Sequence, residues 1–424
     1  MDKRHHVFYY LILFLISPLL GLLAGMANFK EKNARLNLVL FVAVFGYTLI
    51  IIPGKDSWEQ ARTFAEMYHY LSFDDFQIII SDIVSLKGGK HLGAAADELY
   101  LPFLSYSISQ FTDNPSWLFL AAGLVYGFFF IRGISLVYDD MQRNWNIALF
   151  ILFVFFISWK NLEGLNSIRN WTGAWCFFNG AYLYLKTRNI NYILLVMLAP
   201  MFHAGYLVIT LPFYAYLVIG DRKYLLFGIL VFSYLFSASS GMIEPYLTST
   251  GLGEAKMQAY VEDDEVGGPR FSTVDNRSFH AKYYRYAADR IIQVLFIYAL
   301  LFMGYMKNNN HDKLRTGLAG LGILMLSMAN MVGFAQVLRN RVFVNFGLYA
   351  LAYLVLHYSV LRPPPGIQRN LVYIATPGIL LFVFTQYSQI GDFMDFRAFV
   401  SPLVYPLLGD DPVSVKEFIR SILQ

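Results

Sequence analysis

Ser116-Trp117-Leu118-Phe119-Leu120-Ala121-Ala122-Gly123-Leu124-Val125-Tyr126-Gly127-Phe128-Phe129-Phe130-Ile131-Arg132-Gly133-Ile134-Ser135-Leu136-Val137-Tyr138 is a run of 23 residues with one charged side chain. As a helix rising about 1.5 Å per residue it is roughly 35 Å long, enough to cross the hydrocarbon core of a bilayer. Comparable apolar runs cover 7–26, 36–52, 145–159, 168–185, 190–219, 223–240, 287–306, 314–334, 341–360 and 370–387. Where no water is available to backbone polar groups, such runs satisfy them as helices.

The composition points the same way. Of 424 residues 57% are apolar, and only 15% are charged (33 Lys+Arg, 29 Asp+Glu). A soluble domain carries roughly 25% charged residues. This balance excludes a soluble enzyme, a nucleic-acid binder and a disordered scaffold. It predicts an all-α polytopic membrane protein, a single integral membrane domain over 1–424 with about 11–12 transmembrane helices and short outer-face helices. The lone cysteine, Cys176, excludes intramolecular disulfides and a thiolate metal cluster. The opening MDKRHH before an apolar run looks like a signal peptide, but no A-x-A site follows, so the run is expected to be retained as a helix.

The 190–219 run is long for one span. It breaks at Ala199-Pro200-Met201-Phe202-His203-Ala204-Gly205 and has basic residues at both ends (Lys186, Arg188; Arg222, Lys223). Two short helices meeting near one membrane face explain both features. Counted so, one set of loops holds Lys30, Lys32, Arg35, Arg143, Lys186, Arg188, Arg222, Lys223, Lys307, Lys313, Arg315, Arg362 and Arg369. The excess of Lys and Arg in short loops marks that side as cytoplasmic. The scheme leaves MDKRHH on the outside, against the same rule. The outer side takes segment 53–115, with short apolar stretches 76–86 and 98–111 too short to span, a loop or flap at 241–286, and the tail 388–424. The flap carries Glu262-Asp263-Asp264-Glu265 before Gly267-Gly268-Pro269 and is expected to be a solvated segment rather than a cation site.

Ionisable residues at membrane depth are costly and mark function. Near the outer ends they are mostly arginines: Arg169 opening the 168–185 helix, Arg339 and Arg341 opening the 341–360 helix, and Arg290 inside the 287–306 helix. His203 joins them at the hairpin break. Glu163, Glu244 and Asp289 offer structural partners, but a group of guanidiniums beside a histidine favours an anionic ligand, phosphate above all, because the planar fork binds it through two bonds. Thr172, Gly173 and Cys176 continue the Arg169 face with small side chains, and a narrow apolar slot beneath the guanidinium would suit a phosphate-bearing lipid.

Ser167-Ile168-Arg169-Asn170-Trp171-Thr172-Gly173-Ala174, Tyr182-Leu183-Tyr184 and Leu198-Ala199-Pro200-Met201-Phe202-His203-Ala204-Gly205-Tyr206-Leu207-Val208 together resemble the EpsG-like branch of the Wzy-type polysaccharide polymerases. That family has an Ile-Arg-Gln segment opening a helix and Phe-His-x-Ser some 30 residues on. Gly54-Lys55-Asp56 is similar to its Gly-x-Asp, Glu98-Leu99-Tyr100 to its Glu-x-Gly/Tyr, and Arg339 and Arg341 stand where it has an arginine before a late span. Asn170 replaces the usual Gln, Gly205 the usual Ser, and Glu59 stands where Tyr is common.

The resemblance implies a C-type glycosyltransferase architecture in a bacterial cytoplasmic membrane. The implied reaction is polymerisation of undecaprenyl-diphosphate-linked oligosaccharides at the outer face, releasing undecaprenyl diphosphate without metal or cofactor. Chain-length regulator and flippase proteins are the implied partners, and nucleic acid is not. On this reading Arg169, Arg339 and Arg341 hold the diphosphate, with Arg290 beside them as a substrate-binding residue. His203 is the base or the hydroxyl orienter, and Asp56, Arg62 and Glu98 contact sugar. Two other classes compete. A lipid-linked-sugar flippase or other transporter would place charges at the midplane and show two related halves. A membrane acyltransferase would draw its thioester donor from the cytoplasm.

Overall fold

A computed structural model describes residues 3–85, 98–142, 145–248, 279–302, 305, 312–333, 335–360, 366–407 and 412–423. The acidic run 262–265, most of the 241–286 flap, and Arg143, Lys307 and Arg362 lie outside them. The described chain is helical with only isolated bridges, Leu49 to Met394 and Asp395 to Ser414. Five helices are long and apolar enough to cross a membrane, and four shorter apolar helices accompany them.

The helices are α1 Lys3–Ile16, α2 Pro18–Ala27, α3 Lys32–Tyr47, α4 Asp56–Glu66, α5 Phe73–Val84, α6 Tyr100–Ser109, α7 Pro115–Asp140, α8 Ile147–Trp159, α9 Ile168–Thr187, α10 Asn191–Phe202, α11 Tyr206–Ile209, α12 Leu211–Ile219, α13 Lys223–Thr248, α14 Phe279–Phe302, α15 Lys313–Met331, α16 Gln336–Val360, α17 Gly366–Phe393 and α18 Val415–Leu423. Each apolar run of the sequence is helical over most of its described residues. The stretches too short to span are α5 and α6, which pack together through stacked Phe76 and Tyr106 rings 4.1 Å apart.

The 7–26 run is not one span. It folds back at Ser17-Pro18, so that Gly21 lies against Phe14 and Tyr10 lies beside α3, donating to Glu31 Oε2 (3.0 Å) and accepting from Asn37 Nδ2 (2.8 Å). The start of α1 is thereby returned to the end of the molecule that holds Arg35. This corrects the single span expected over 7–26: the chain reverses within that run. Proline has no N–H to lose at a helix start, so Ser17-Pro18 ends one helix and begins the next cheaply.

At that basic end Arg35 pairs with Asp139 (2.5 Å), Lys186 with Asp140 (2.6 Å) and Arg188 with Asp221 (3.6 Å). The 190–219 run turns back at His203, with α9 and α10 antiparallel: Val196 abuts Gly180 and Ala199 abuts Gly173. Close helix approach elsewhere also runs through glycine. A Cβ on Gly46 would stand 2.1 Å from Phe119 O, and Gly123 and Gly127 of α7 meet Val42 in the same way. Gly123-Leu124-Val125-Tyr126-Gly127 is a small-xxx-small contact of the kind that drives helix association in lipid.

Candidate active site

The site forms at the end opposite the basic loops, around the start of α9. After α8 a six-residue 3-10 helix, Leu162–Ser167, turns the chain back, capped by Asn161 Oδ1 accepting from the Glu163 N–H (3.0 Å). Gly164 passes so close to Tyr126 that a Cβ would lie 2.6 Å from its hydroxyl. This turn fixes where α9 begins, and hence where Arg169 projects.

Arg169 pairs through Nη1 with Glu98 Oε1. Glu98 is 4% exposed, whereas the Arg169 side chain keeps 30% of its surface. The carboxylate therefore anchors one edge of the guanidinium from below. The sequence offered Glu163, Glu244 and Asp289 as partners for the arginines; Arg169 takes Glu98 instead, and the side chain of Glu244 is outside the described residues. Tyr68 is buried beside the pair, and burial together with Glu98 pushes its phenol well above the usual range. Asp56 is brought close as well. Ser167 Oγ donates to Asp56 Oδ2 (2.6 Å) and Ser57 Oγ to Asn166 Oδ1 (3.2 Å), docking α4 on the turn before Arg169. Arg62 turns instead to its own helix, paired with Glu59 (2.8 Å) over the Trp58 ring (5.0 Å).

His203 occupies the hairpin tip. Its Nδ1 accepts the Gly205 N–H at 2.9 Å. A neutral imidazole with Nδ1 so engaged carries its proton on Nε2, which makes it a donor on its open side. A Cβ on Gly205 would lie 3.1 Å from His203 Nδ1 and 3.6 Å from Arg341 Nη1, so imidazole and guanidinium meet over this glycine. Arg341 and Arg169 both lie close enough to His203 to act on its charge. Beneath them a buried network ties three helices together: Tyr206 OH donates to Asn170 O (3.0 Å), and Asn345 Nδ2 reaches Tyr206 Oη (3.3 Å) and Arg341 O (2.9 Å).

The small-residue face of α9 is not an open slot. Tyr206 fills the space above Gly173, where a Cβ would stand 2.8 Å from its ring, and Thr172 and Cys176 are fully buried. The expected lipid groove beneath Arg169 is closed by helix packing.

Arg339 and Arg290 belong to a neighbouring group. With Arg285 and Lys160 they lie close enough to Asp289 to act on its charge. Arg290 Nη1 also donates to Gln293 Oε1 (3.2 Å) and lies over the Tyr286 ring. Sequence reasoning missed Lys160, Arg285 and the Tyr206–Asn345 support. Lys160 carried a readable signal, being the lone cation between residues 145 and 168. Arg285 did not, because it precedes the apolar run of its helix. Among the described residues no group of three His, Cys, Asp or Glu stands ready to hold a metal ion.

The geometry defines a class: an all-α polytopic membrane protein whose chain-distant helix ends present guanidiniums, an ammonium and an imidazole donor together at one end. The chain matches the EpsG family over residues 95–398 and belongs to that family, a bacterial membrane family of glycosyltransferase-like proteins of polysaccharide biosynthesis. No curated protein matches it, and no solved structure does.

Proposed function

We propose that this protein polymerises undecaprenyl-diphosphate-linked oligosaccharide repeat units at the outer face of the bacterial cytoplasmic membrane. The observation that carries the reading is the meeting of Arg169, His203 and Arg341 at one end of the molecule, from three separated segments, with Arg169 held by a buried carboxylate.

In the reaction a hydroxyl oxygen of one chain bonds to the anomeric carbon of the other. The carbon–oxygen bond to the diphosphate breaks, and its electron pair leaves with the diphosphate. The hydroxyl proton passes to solvent or to a released phosphate oxygen. Charge develops on the leaving group, and preorganised donors placed where charge develops are the largest single source of catalysis in many enzymes. Arg169 and Arg341 supply such donors in bidentate form. Because Nδ1 of His203 is engaged, its Nε2–H is suited to donate to a phosphate or sugar oxygen. The orienting role fits this geometry better than that of general base. Glu98 positions Arg169, and Asp56 stands at the edge of the site for sugar hydroxyls.

The test is reconstitution. The purified protein in lipid nanodiscs, given lipid-linked repeat units, is expected to yield a ladder of longer glycans and stoichiometric undecaprenyl diphosphate. Transfer of intact lipid-linked units between leaflets with no ladder would replace polymerisation by transport.

A further inference from the structure

Because Tyr206 closes the small-residue face of α9, the hydrocarbon chain of a lipid diphosphate held at Arg169 has no room there. A place for it lies between α5, α6 and α10. These helices enclose an apolar cavity of about 830 Å³, with Phe76, Leu99, Tyr100, Phe103, Met201 and Phe202 in its walls. That volume is within the roughly 300–1,000 Å³ of ligand pockets. Two wall residues are chain neighbours of the site. Leu99 follows Glu98, the carboxylate that holds Arg169, and Phe202 precedes His203. The Tyr100 and Phe202 rings pack with centroids 4.8 Å apart, joining α6 to α10 at that edge. Anion-binding groups thus border an apolar cavity, which suits a charged head on a hydrocarbon chain.

The sequence of α5 builds one wall. Ile79 and Ile83 form a small core with Met67, Leu71 and Leu99, and that stripe docks the helix. Phe73, Phe76, Ile80 and Val84 recur at three- and four-residue spacing on a second stripe, which lines the cavity. Phe76 is braced by the Tyr106 ring at 4.1 Å and the Phe103 ring at 6.4 Å, while Phe73 and Val84 remain exposed. The polar groups of the lining are Gln77, Ser81 and the Tyr100 hydroxyl. Water finds few partners against such walls, whereas a hydrocarbon gains both burial and dispersion contacts.

We infer that the cavity between α5, α6 and α10 takes the isoprenoid units next to the diphosphate of the lipid-linked substrate, while Arg169, Arg341 and His203 hold the diphosphate itself. This deepens the proposed function and rests on it for the identity of the lipid. The cavity makes the site selective for a diphosphate that carries its chain.

The test measures binding of undecaprenyl diphosphate and of inorganic diphosphate to the full-length protein in phosphatidylglycerol nanodiscs. Ile80→Trp and Leu104→Trp fill the cavity from two different helices without touching the diphosphate-binding groups. Each is expected to weaken binding of undecaprenyl diphosphate about tenfold or more, through lost burial of the chain, and to leave binding of inorganic diphosphate unchanged. Ile80→Gln, which makes the wall polar without adding bulk, serves if the Trp variants do not fold. Unchanged lipid affinity in the folded variants overturns the inference. An equal loss for both probes does so too, since it signals distortion of the diphosphate groups, as does a wild type that binds the lipid no more tightly than inorganic diphosphate. Undecaprenyl diphosphate carrying a diazirine beside its head is expected to cross-link to α5, α6 and α10 even in excess phosphatidylglycerol. Displacement by phosphatidylglycerol would make the cavity a seat for any membrane lipid and overturn the inference. A glycan ladder from the wild type, with lipid affinity unchanged in the variants, removes the cavity and keeps polymerisation. Cavity-dependent lipid binding without a ladder keeps the cavity and removes polymerisation.

Discussion

The guanidinium of Arg169 is paired with the carboxylate of Glu98, 71 positions earlier in the chain, and the carboxylate is the buried member of the pair. That asymmetry makes Glu98 an anchor rather than a surface to which substrate binds. The Arg169 side chain keeps 30% of its surface, and because Glu98 already holds it, a phosphate that binds there costs little further side-chain freedom.

Substitution at the pair should separate charge from geometry. Arg169→Lys keeps the positive charge but loses the fork, and is expected to lose most polymerisation, on the order of 10²–10³ in rate. Glu98→Ala should lower thermal stability by roughly 1.5–3 kcal/mol, the range for a lost hydrogen bond to a charged group, because the guanidinium left behind keeps access to water, and lower activity with it. Near wild-type turnover of Arg169→Lys in the nanodisc assay would take Arg169 out of the diphosphate contact.

At His203 the engaged Nδ1 leads to a distinction between two variants. His203→Gln retains a side-chain N–H donor and is expected to keep measurably more activity than His203→Ala, which should lose about 10²-fold or more. Equal and near-complete loss in both, with folding intact, would restore general-base catalysis to this residue.

Gly46 tests the core rather than the site. A methyl group there meets the Phe119 carbonyl at 2.1 Å, so the helices α3 and α7 must separate. Gly46→Ala is expected to destabilise the protein by about 1–3 kcal/mol, read as a lower melting temperature in detergent, with no change in diphosphate affinity for the fraction that remains folded.

Sidedness follows from the charge distribution of the loops together with the α1–α2 hairpin. In intact spheroplasts a membrane-impermeant thiol reagent should label Asp113→Cys and not Asn189→Cys, both positions being exposed. A fluorescent protein fused before α1 should mature in the cytoplasm. The reverse labelling pattern would put the Arg169 site on the inside and end the outer-face reading.

Helix identity was legible because it is a local matter: a run of apolar residues in lipid has few ways to satisfy its backbone, and each run states its own answer. The break at Pro200 to Gly205 was legible for the same reason, through proline, glycine and flanking charge. The hairpin at Ser17-Pro18 was not, because a run of ordinary spanning length conceals a reversal that depends on Gly21 meeting Phe14 and Tyr10 meeting Asn37. Likewise the small residues after Arg169 read equally well as a groove or as a packing face, and only the position of Tyr206 decided for packing.

The sequence by itself determined that this is an all-α membrane protein, which segments are helical, and that arginines and a histidine stand at helix ends, since composition and periodicity act residue by residue. Which charges meet was decided by tertiary structure alone. Glu98 reaches Arg169, Arg341 reaches His203, and Asp139 reaches Arg35. These contacts join segments far apart in the chain, and an electrostatic partner is chosen by distance in space and by the water excluded around it, neither of which a linear pattern records.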